Sequence, residues 1–150
     1  MIEGRFIPGC GDKTEAFKIR KAVFVQEQGF AEETEIDAVD DTALHVLVLD
    51  RGTPAATARL YQQDGLWHIG RVAVLREFRG RGVGAVTMRL MMNKARELGA
   101  AEVYVGSQRQ AEGFYGSLGF EPCGPEYDEE GVLHVPMKAD VVMACCCRFE

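Results

Sequence analysis

The chain has no long hydrophobic run: none of its 150 residues fall in a stretch approaching the roughly 18 apolar residues of a membrane span, and no basic-then-apolar leader opens it. A membrane partner is therefore not expected, and a cytoplasmic protein is. Positive charge is also scarce, with 17 Lys and Arg against 23 Asp and Glu, a net charge of -6 and a pI near 5.1. That balance gives no general attraction for nucleic acid, so any phosphate binding has to come from a local patch. The five cysteines, Cys10, Cys123 and the consecutive Cys145, Cys146 and Cys147, have neither the paired spacing of a zinc site nor that of a disulfide framework. No metal is expected, and the thiols read as reduced. The P-loop is missing as well, since no Gly-Lys-Ser or Gly-Lys-Thr occurs.

What the chain does have is 47% hydrophobic residues, enough for one well-buried core and too short a length for two ordinary domains. One domain is expected over residues 1–140, with 141–150 as a segment left open between a frayed tail, an added strand and an oligomer contact. Ile2 to Arg5 reads either as the start of a strand to Ile7 or as an engineered protease site. Glu15 to Gln28 has a broad helical face of Phe17, Ile19, Val23, Phe24 and Val25. The acidic stretch Ala31 to Asp41 reads as a solvated surface segment. Strands at Ala43–Leu49, Ala55–Tyr61 and Leu66–Val74 form an antiparallel meander, the first apolar on both faces and so central. Val83, Val86, Leu90, Met91, Ala95 and Leu98 recur at helical steps up to Gly99. A strand at Glu102–Gly106, a helix at Gln110–Leu118 and a strand at Val132–Met137 complete the order. The class is α/β of the α+β type, with helices on both faces of the sheet.

The junction between the meander and the long helix is the most informative segment. Val72-Ala73-Val74 leads through Arg79-Gly80-Arg81-Gly82-Val83-Gly84 straight into the helix. A helix start presents N–H groups without intrahelical acceptors and the positive end of the dipole, and glycines allow the backbone to close on a ligand. A turn needs one glycine, so three of them alternating with arginines point to a diphosphate. Gly80, Gly82 and Ala85 also fit dinucleotide GxGxxA spacing. The context argues against that reading, because the next strand ends in Gly106-Ser107-Gln108 with no acidic residue for a ribose, and the turn follows an antiparallel meander.

These residues resemble the GNAT superfamily of N-acetyltransferases, whose RxxGxG signature is filled by Arg79, Gly82 and Gly84. Gln108 to Phe120, with Tyr115 shortly before Leu118-Gly119-Phe120, is similar to the family's second hallmark, where asparagine often stands at the position of Gln108. Arg20 to Gln28 (RKAVFVQEQ), with the acidic stretch and His45, resembles a small bacterial subgroup with an RxxVFVxEQ-like helix. The likeness covers roughly Arg20 to Phe120. It implies a mixed, mostly antiparallel sheet of six or seven strands splayed after the fourth, with pantetheine pairing with the Val72, Ala73 and Val74 backbone. The donor is acetyl-CoA or a close relative, with CoA as co-substrate. Its pyrophosphate is expected on Arg79, Gly80, Arg81, Gly82, Val83, Gly84 and Ala85, with Gln108 and Tyr115 as further cofactor contacts.

Transfer of an acyl group from a thioester to an amine needs a neutral amine, a polarised carbonyl and a protonated leaving thiolate. A lysine-like amine is only about 0.04% neutral at pH 7, so a base helps. Glu27, whose pKa partial burial would raise, and His45 are the candidates. Tyr115 is the expected acid for the leaving sulfur, through its implied place beside the thioester, and the Val74 N–H is the implied donor to the acyl oxygen. Arg59 and Arg71 lie in apolar strands and need an anion: the acidic segment first, otherwise an anionic acceptor. With Glu27 they form the expected acceptor-binding set. The function implied is N-acetylation of a small-molecule or peptide amine in a ternary complex, and the alternative is a catalytically silent acyl-CoA sensor. Trp67 and the cysteine-rich tail are compatible with a homodimer.

Overall fold

In the computed structural model, which describes residues 1–142, the chain contributes to two compact units, Met1–Tyr61 with Ile69–Met91, and Gln62–His68 with the residues from Met92 onward. Cys145, Cys146 and Cys147 lie outside the described residues.

The first unit begins with β1 (Ile2–Ile7), paired antiparallel with β2 (Leu44–Asp50) from Ile2↔Asp50 to Ile7↔His45. A Cβ on Gly4 would come within 2.5 Å of Leu90 Cδ1, so this part of the strand packs closely over the long helix. β2 in turn pairs with β3 (Thr53–Gln63), and its five middle residues are buried. It is the central strand that its two-faced apolar pattern requires. The β2–β3 turn places Arg51 and Gly52, and the β3–β4 turn Asp64 and Gly65, in left-handed pairs, the backbone of a two-residue type I′ hairpin. β4 (Leu66–Val74) starts in the second unit and ends in the first.

Helix α1 (Thr14–Arg20) continues without a break as a π-helix, Lys21–Glu27. Its face packs Ile19, Val23 and Phe24 on Leu47, Leu49 and Ala73, with Ile7, Phe30 and Leu75 at the edge. This core fixes the end of the π-helix over the end of β4. The acidic stretch folds as α2 (Glu32–Glu35) and a 3-10 turn at Ala38–Asp41. It is not the solvated face expected from its composition, because Glu35 and Asp40 are buried.

Helix α3 (Val83–Glu97) closes with a Schellman pair, Ala100 N–H to Ala95 O at 2.9 Å and Gly99 N–H to Arg96 O at 3.0 Å, with Gly99 left-handed. Leu98, read as part of its buried face, is exposed just past that end. In the second unit β5 (Glu102–Gln108) pairs parallel with β4 at His68↔Tyr104, near the start of β4. On its other side it pairs antiparallel with β8 (Val132–Asp140), flanked by β6 (Glu121–Pro122) and β7 (Tyr127–Glu129). Among the described residues these two short strands, both paired with β8, bring the total to eight where about six or seven were expected. Helix α4 (Glu112–Ser117) follows a 3-10 turn at Arg109–Ala111. Trp67, expected as an exposed dimer residue, is half-buried. Among the described residues no helix is long and apolar enough to cross a membrane, and no group of His, Cys, Asp and Glu could hold a metal ion.

Candidate active site

The turn between β4 and α3 has the shape that its composition suggests. Gly80 and Gly82 both have φ near +78°, a conformation costly for other residues, and no atom stands within 4 Å of where their Cβ would be. Helical bonding starts with Val86 N–H to Gly82 O at 3.1 Å, so Val83, Gly84 and Ala85 occupy the first turn, whose N–H groups lack intrahelical acceptors. Arg81 is exposed, with its guanidinium 5.7 Å from the Phe78 ring centroid and 3.7 Å from the Asp50 carboxylate. An open, glycine-lined helix start with an exposed cation fits a diphosphate.

Arg79 behaves differently from Arg81. Its two terminal nitrogens donate to Glu27 Oε1 and Oε2 at 2.7 Å each, and its Nε–H donates to Val74 O at 3.0 Å. Arg76 adds a longer bond to Glu27 Oε2 at 3.3 Å. The hydrogen bond from Arg79 holds the Glu27 carboxyl down at about 2, well below the usual carboxylate range. The raised pKa expected of Glu27 from partial burial is therefore wrong in sign: the arginine across the turn outweighs desolvation. Glu27 is a carboxylate of very low basicity. It also forms part of the wall of an open depression of about 310 Å³ with Ala22, Val23, Gln26, Leu75, Arg76 and Glu77.

His45, Arg59 and Arg71 belong to a second cluster of the same unit. Arg20, 1% exposed, donates to Asp40 Oδ1 at 2.7 Å and to Glu35 Oε2 at 2.8 Å. Arg59 donates to Asp37 Oδ1 at 2.7 Å and Asp40 Oδ1 at 2.9 Å, while Arg71 lies 3.1 Å from Glu35 Oε2 and 3.4 Å from Asp37 Oδ2. Three guanidinium groups thus meet three carboxylates, and the strand arginines take the acidic segment as their anion. Burial works to raise the Asp40 pKa, but the hydrogen bonds from Arg20, the Asp37 N–H and Arg59 together lower it. Arg71 holds φ at +50° inside β4, a left-handed kink immediately before Val72.

His45, with no exposed surface, makes a 3.0 Å hydrogen bond through Nε2 to Asp40 O, and its Nδ1 has no partner among the described residues. Burial lowers its pKa more than Asp40 raises it, so the ring is neutral in the fold. An unfolded histidine takes up a proton below about pH 6.5, and this one resists it. Its stabilisation is therefore complete above pH 6.5 and lost as pH falls towards its lowered folded value, with half-buried His68 acting in the same sense. We expect urea unfolding to show stability declining between pH 7 and 5, with a shallower slope in His45→Gln. An unchanged slope would mean that other groups carry the acid sensitivity.

In the second unit Tyr115 is buried on α4, its ring 5.1 Å from that of Phe114 and 5.8 Å from that of Phe120. Burial pushes its phenol up to about 12, so it keeps its proton at neutral pH. Gln108 ends β5, and its Oε1 accepts from Gln110 Nε2 at 2.6 Å.

Sequence reasoning missed Arg20 and the depth of Glu35 and Asp40. The arginines in apolar elements signalled a need for anions, but nothing in the composition of the acidic stretch itself signalled its burial. Arg76 gave no such signal.

Comparisons with known proteins show the family. The family model described as Acetyltransferase (GNAT) domain matches residues 13–141, so the chain belongs to the GNAT acetyltransferases. It is an acyl-CoA-dependent N-acyltransferase by that membership. It is 32% identical over 127 residues to the uncharacterized N-acetyltransferase YjcF of Bacillus subtilis, covering 84% of this chain and 91% of that one. To the protein ElaA of Escherichia coli it is 33% identical over 133 residues, covering 85% and 86%. The crystal structure of ElaA superposes with a TM-score of 0.81 at 30% identity, covering 93% of this chain and all of that one. An acyl-CoA N-acyltransferase from Pseudomonas aeruginosa gives 0.81 at 25% identity, covering 93% and 99%.

Proposed function

We propose that the protein transfers an acetyl group from acetyl-CoA directly to a primary amine of a small molecule or peptide, in a ternary complex. The observation that carries this is the glycine turn at the start of α3, left-handed and open at Gly80 and Gly82, with Arg81 exposed beside it. Its amides would receive the CoA diphosphate, and hydrogen bonds to a charged group contribute roughly 1.5 to 3 kcal/mol each. Val72 to Val74, following the kink at Arg71, would pair with the pantetheine, and Gln108 would add a side-chain contact.

Tyr115 would donate its proton to the departing CoA sulfur, and the proton shed by the attacking amine nitrogen would pass through solvent water to restore the phenol. Its phenol stays protonated at neutral pH, as that role requires. Tyr115→Phe should lower kcat at least about tenfold with little change in the KM for acetyl-CoA. An unaltered kcat would reduce Tyr115 to a packing residue.

With Glu27 held by Arg79 and His45 enclosed, neither is free to take a proton from the acceptor. A weakly basic amine suits such a site: an α-amino group, with a pKa of about 7.7 to 8.0, is roughly 10% neutral at pH 7, against about 0.04% for a lysine-like amine. The test is a thiol-release assay with acetyl-CoA and a panel of amines spanning pKa 7 to 11. Turnover biased to the low-pKa members, with intersecting initial-rate patterns, supports the reading. Parallel patterns would contradict direct transfer, and no turnover with retained CoA binding would favour the silent sensor.

A further inference from the structure

We propose that Glu27 is a positioning residue for donor binding: it holds Arg79, and through Arg79 the end of β4 and the start of the glycine turn, in the shape that receives the acyl-CoA diphosphate. The inference rests on the acyltransferase reading above and goes beyond it by giving this residue a role other than proton transfer. It stands on geometry. Both terminal nitrogens of Arg79 meet both carboxylate oxygens of Glu27 at 2.7 Å, a two-point contact that fixes the orientation of the guanidinium as well as its place. The remaining Nε–H reaches Val74 O at 3.0 Å. One side chain thus joins the last turn of the π-helix, the last residue of β4 and the first residue of the turn.

The π-helix explains why Glu27 can do this. Its first residue follows Arg20, which is locked into the buried acidic cluster, and its middle residues Val23 and Phe24 are in the core. The segment is anchored at its start and along its length, so its final side chain is delivered to a fixed place. π-Helical turns in α-helices recur at functional sites.

Two consequences follow for the turn. Arg79 is drawn away from the role of a free phosphate-binding cation, which leaves the backbone amides and Arg81 to meet the diphosphate. Without Glu27, the Arg79 guanidinium loses its two-point contact and keeps its hydrogen bond to Val74 O, and the left-handed glycines at 80 and 82 give the turn many alternative shapes. A ligand must then order the turn as it binds, and affinity falls. The Arg76 contact, longer and made by a mostly exposed side chain, does not replace the lost pair.

The test is calorimetric titration with coenzyme A of wild type, Glu27→Gln, Arg79→Gln and the double variant, with folding checked by thermal unfolding. Each single change should weaken binding about tenfold, and the double should be no weaker than the worse single, because both remove one interaction. In steady state Glu27→Gln should raise the KM for acetyl-CoA far more than it lowers kcat. Full affinity in folded Glu27→Gln, additive losses in the double variant, or a fall in kcat with an unmoved KM would overturn the proposal, the last being the signature of a base. Should Glu27→Gln not fold, Arg79→Lys carries the test: it keeps the charge and loses the two-point contact, so weakened CoA binding is expected and wild-type affinity would overturn the role. A wild type that does not bind CoA would instead remove the acyltransferase reading itself.

Discussion

Replacing Gly82 by glutamate should weaken coenzyme A binding at least about 100-fold in a protein that still folds. The position is left-handed, with φ of +78°, and a Cβ there would meet no atom within 4 Å. The fold therefore has room for a side chain and bears only the backbone strain, about 1 to 2 kcal/mol. The ligand would have no such room. The new carboxylate would stand over the amides proposed to receive the diphosphate, and two like charges about 4 Å apart repel by about 4 kcal/mol in a partly solvated site. Gly82→Ala separates the two effects, since it brings the same strain without the charge. Calorimetry with both variants checks the account: Gly82→Ala should lose much less affinity than Gly82→Glu. Equal binding by Gly82→Glu and wild type would place the diphosphate elsewhere.

The second large effect concerns the buried ion cluster. Arg20→Met should destabilise the fold by about 3 to 5 kcal/mol, because it removes the hydrogen bonds to Glu35 and Asp40 and leaves two enclosed carboxylates short of a cation. For a chain of this length that corresponds to a fall in Tm of roughly 10 °C. Charge loss alone is not the cause. Lys21, one residue along, pairs with Glu32 at 3.0 Å with both side chains exposed, and Lys21→Met should cost less than about 1 kcal/mol. Urea unfolding of the two variants decides the point. A loss below 1 kcal/mol for Arg20→Met would mean that Arg59 and Arg71 satisfy the acidic segment without it.

Much of this was legible beforehand, and the reasons are specific. The long helix follows from the three- and four-residue spacing of Val83 to Leu98, its end from Gly99, and the hairpin turns from the stretches Asp50 to Pro54 and Gln63 to Gly65. The turn at Gly80 to Gly84 could be read because its glycines serve a backbone shape, which is local. Glu27 could not be read correctly, because its partner is 52 residues away in sequence, and only the fold shows that Arg79 lowers its pKa instead of burial raising it. Arg59 and Arg71 illustrate the middle case. Their need for an anion follows from the apolar strands around them, and the acidic segment was the nearest source. The burial of that segment was not legible, since a run of carboxylates has the composition of a solvated loop whether or not arginines wait beneath it. The left-handed kink at Arg71 left no trace either, as a lone arginine does not announce φ above zero.

The most direct test of the account is a calorimetric titration of the wild-type chain with coenzyme A and acetyl-CoA, with ATP as the control for phosphate attraction alone. Micromolar, one-to-one binding of both CoA species, with ATP markedly weaker, is the predicted result. Absence of CoA binding, or ATP binding as tightly as CoA, would contradict it.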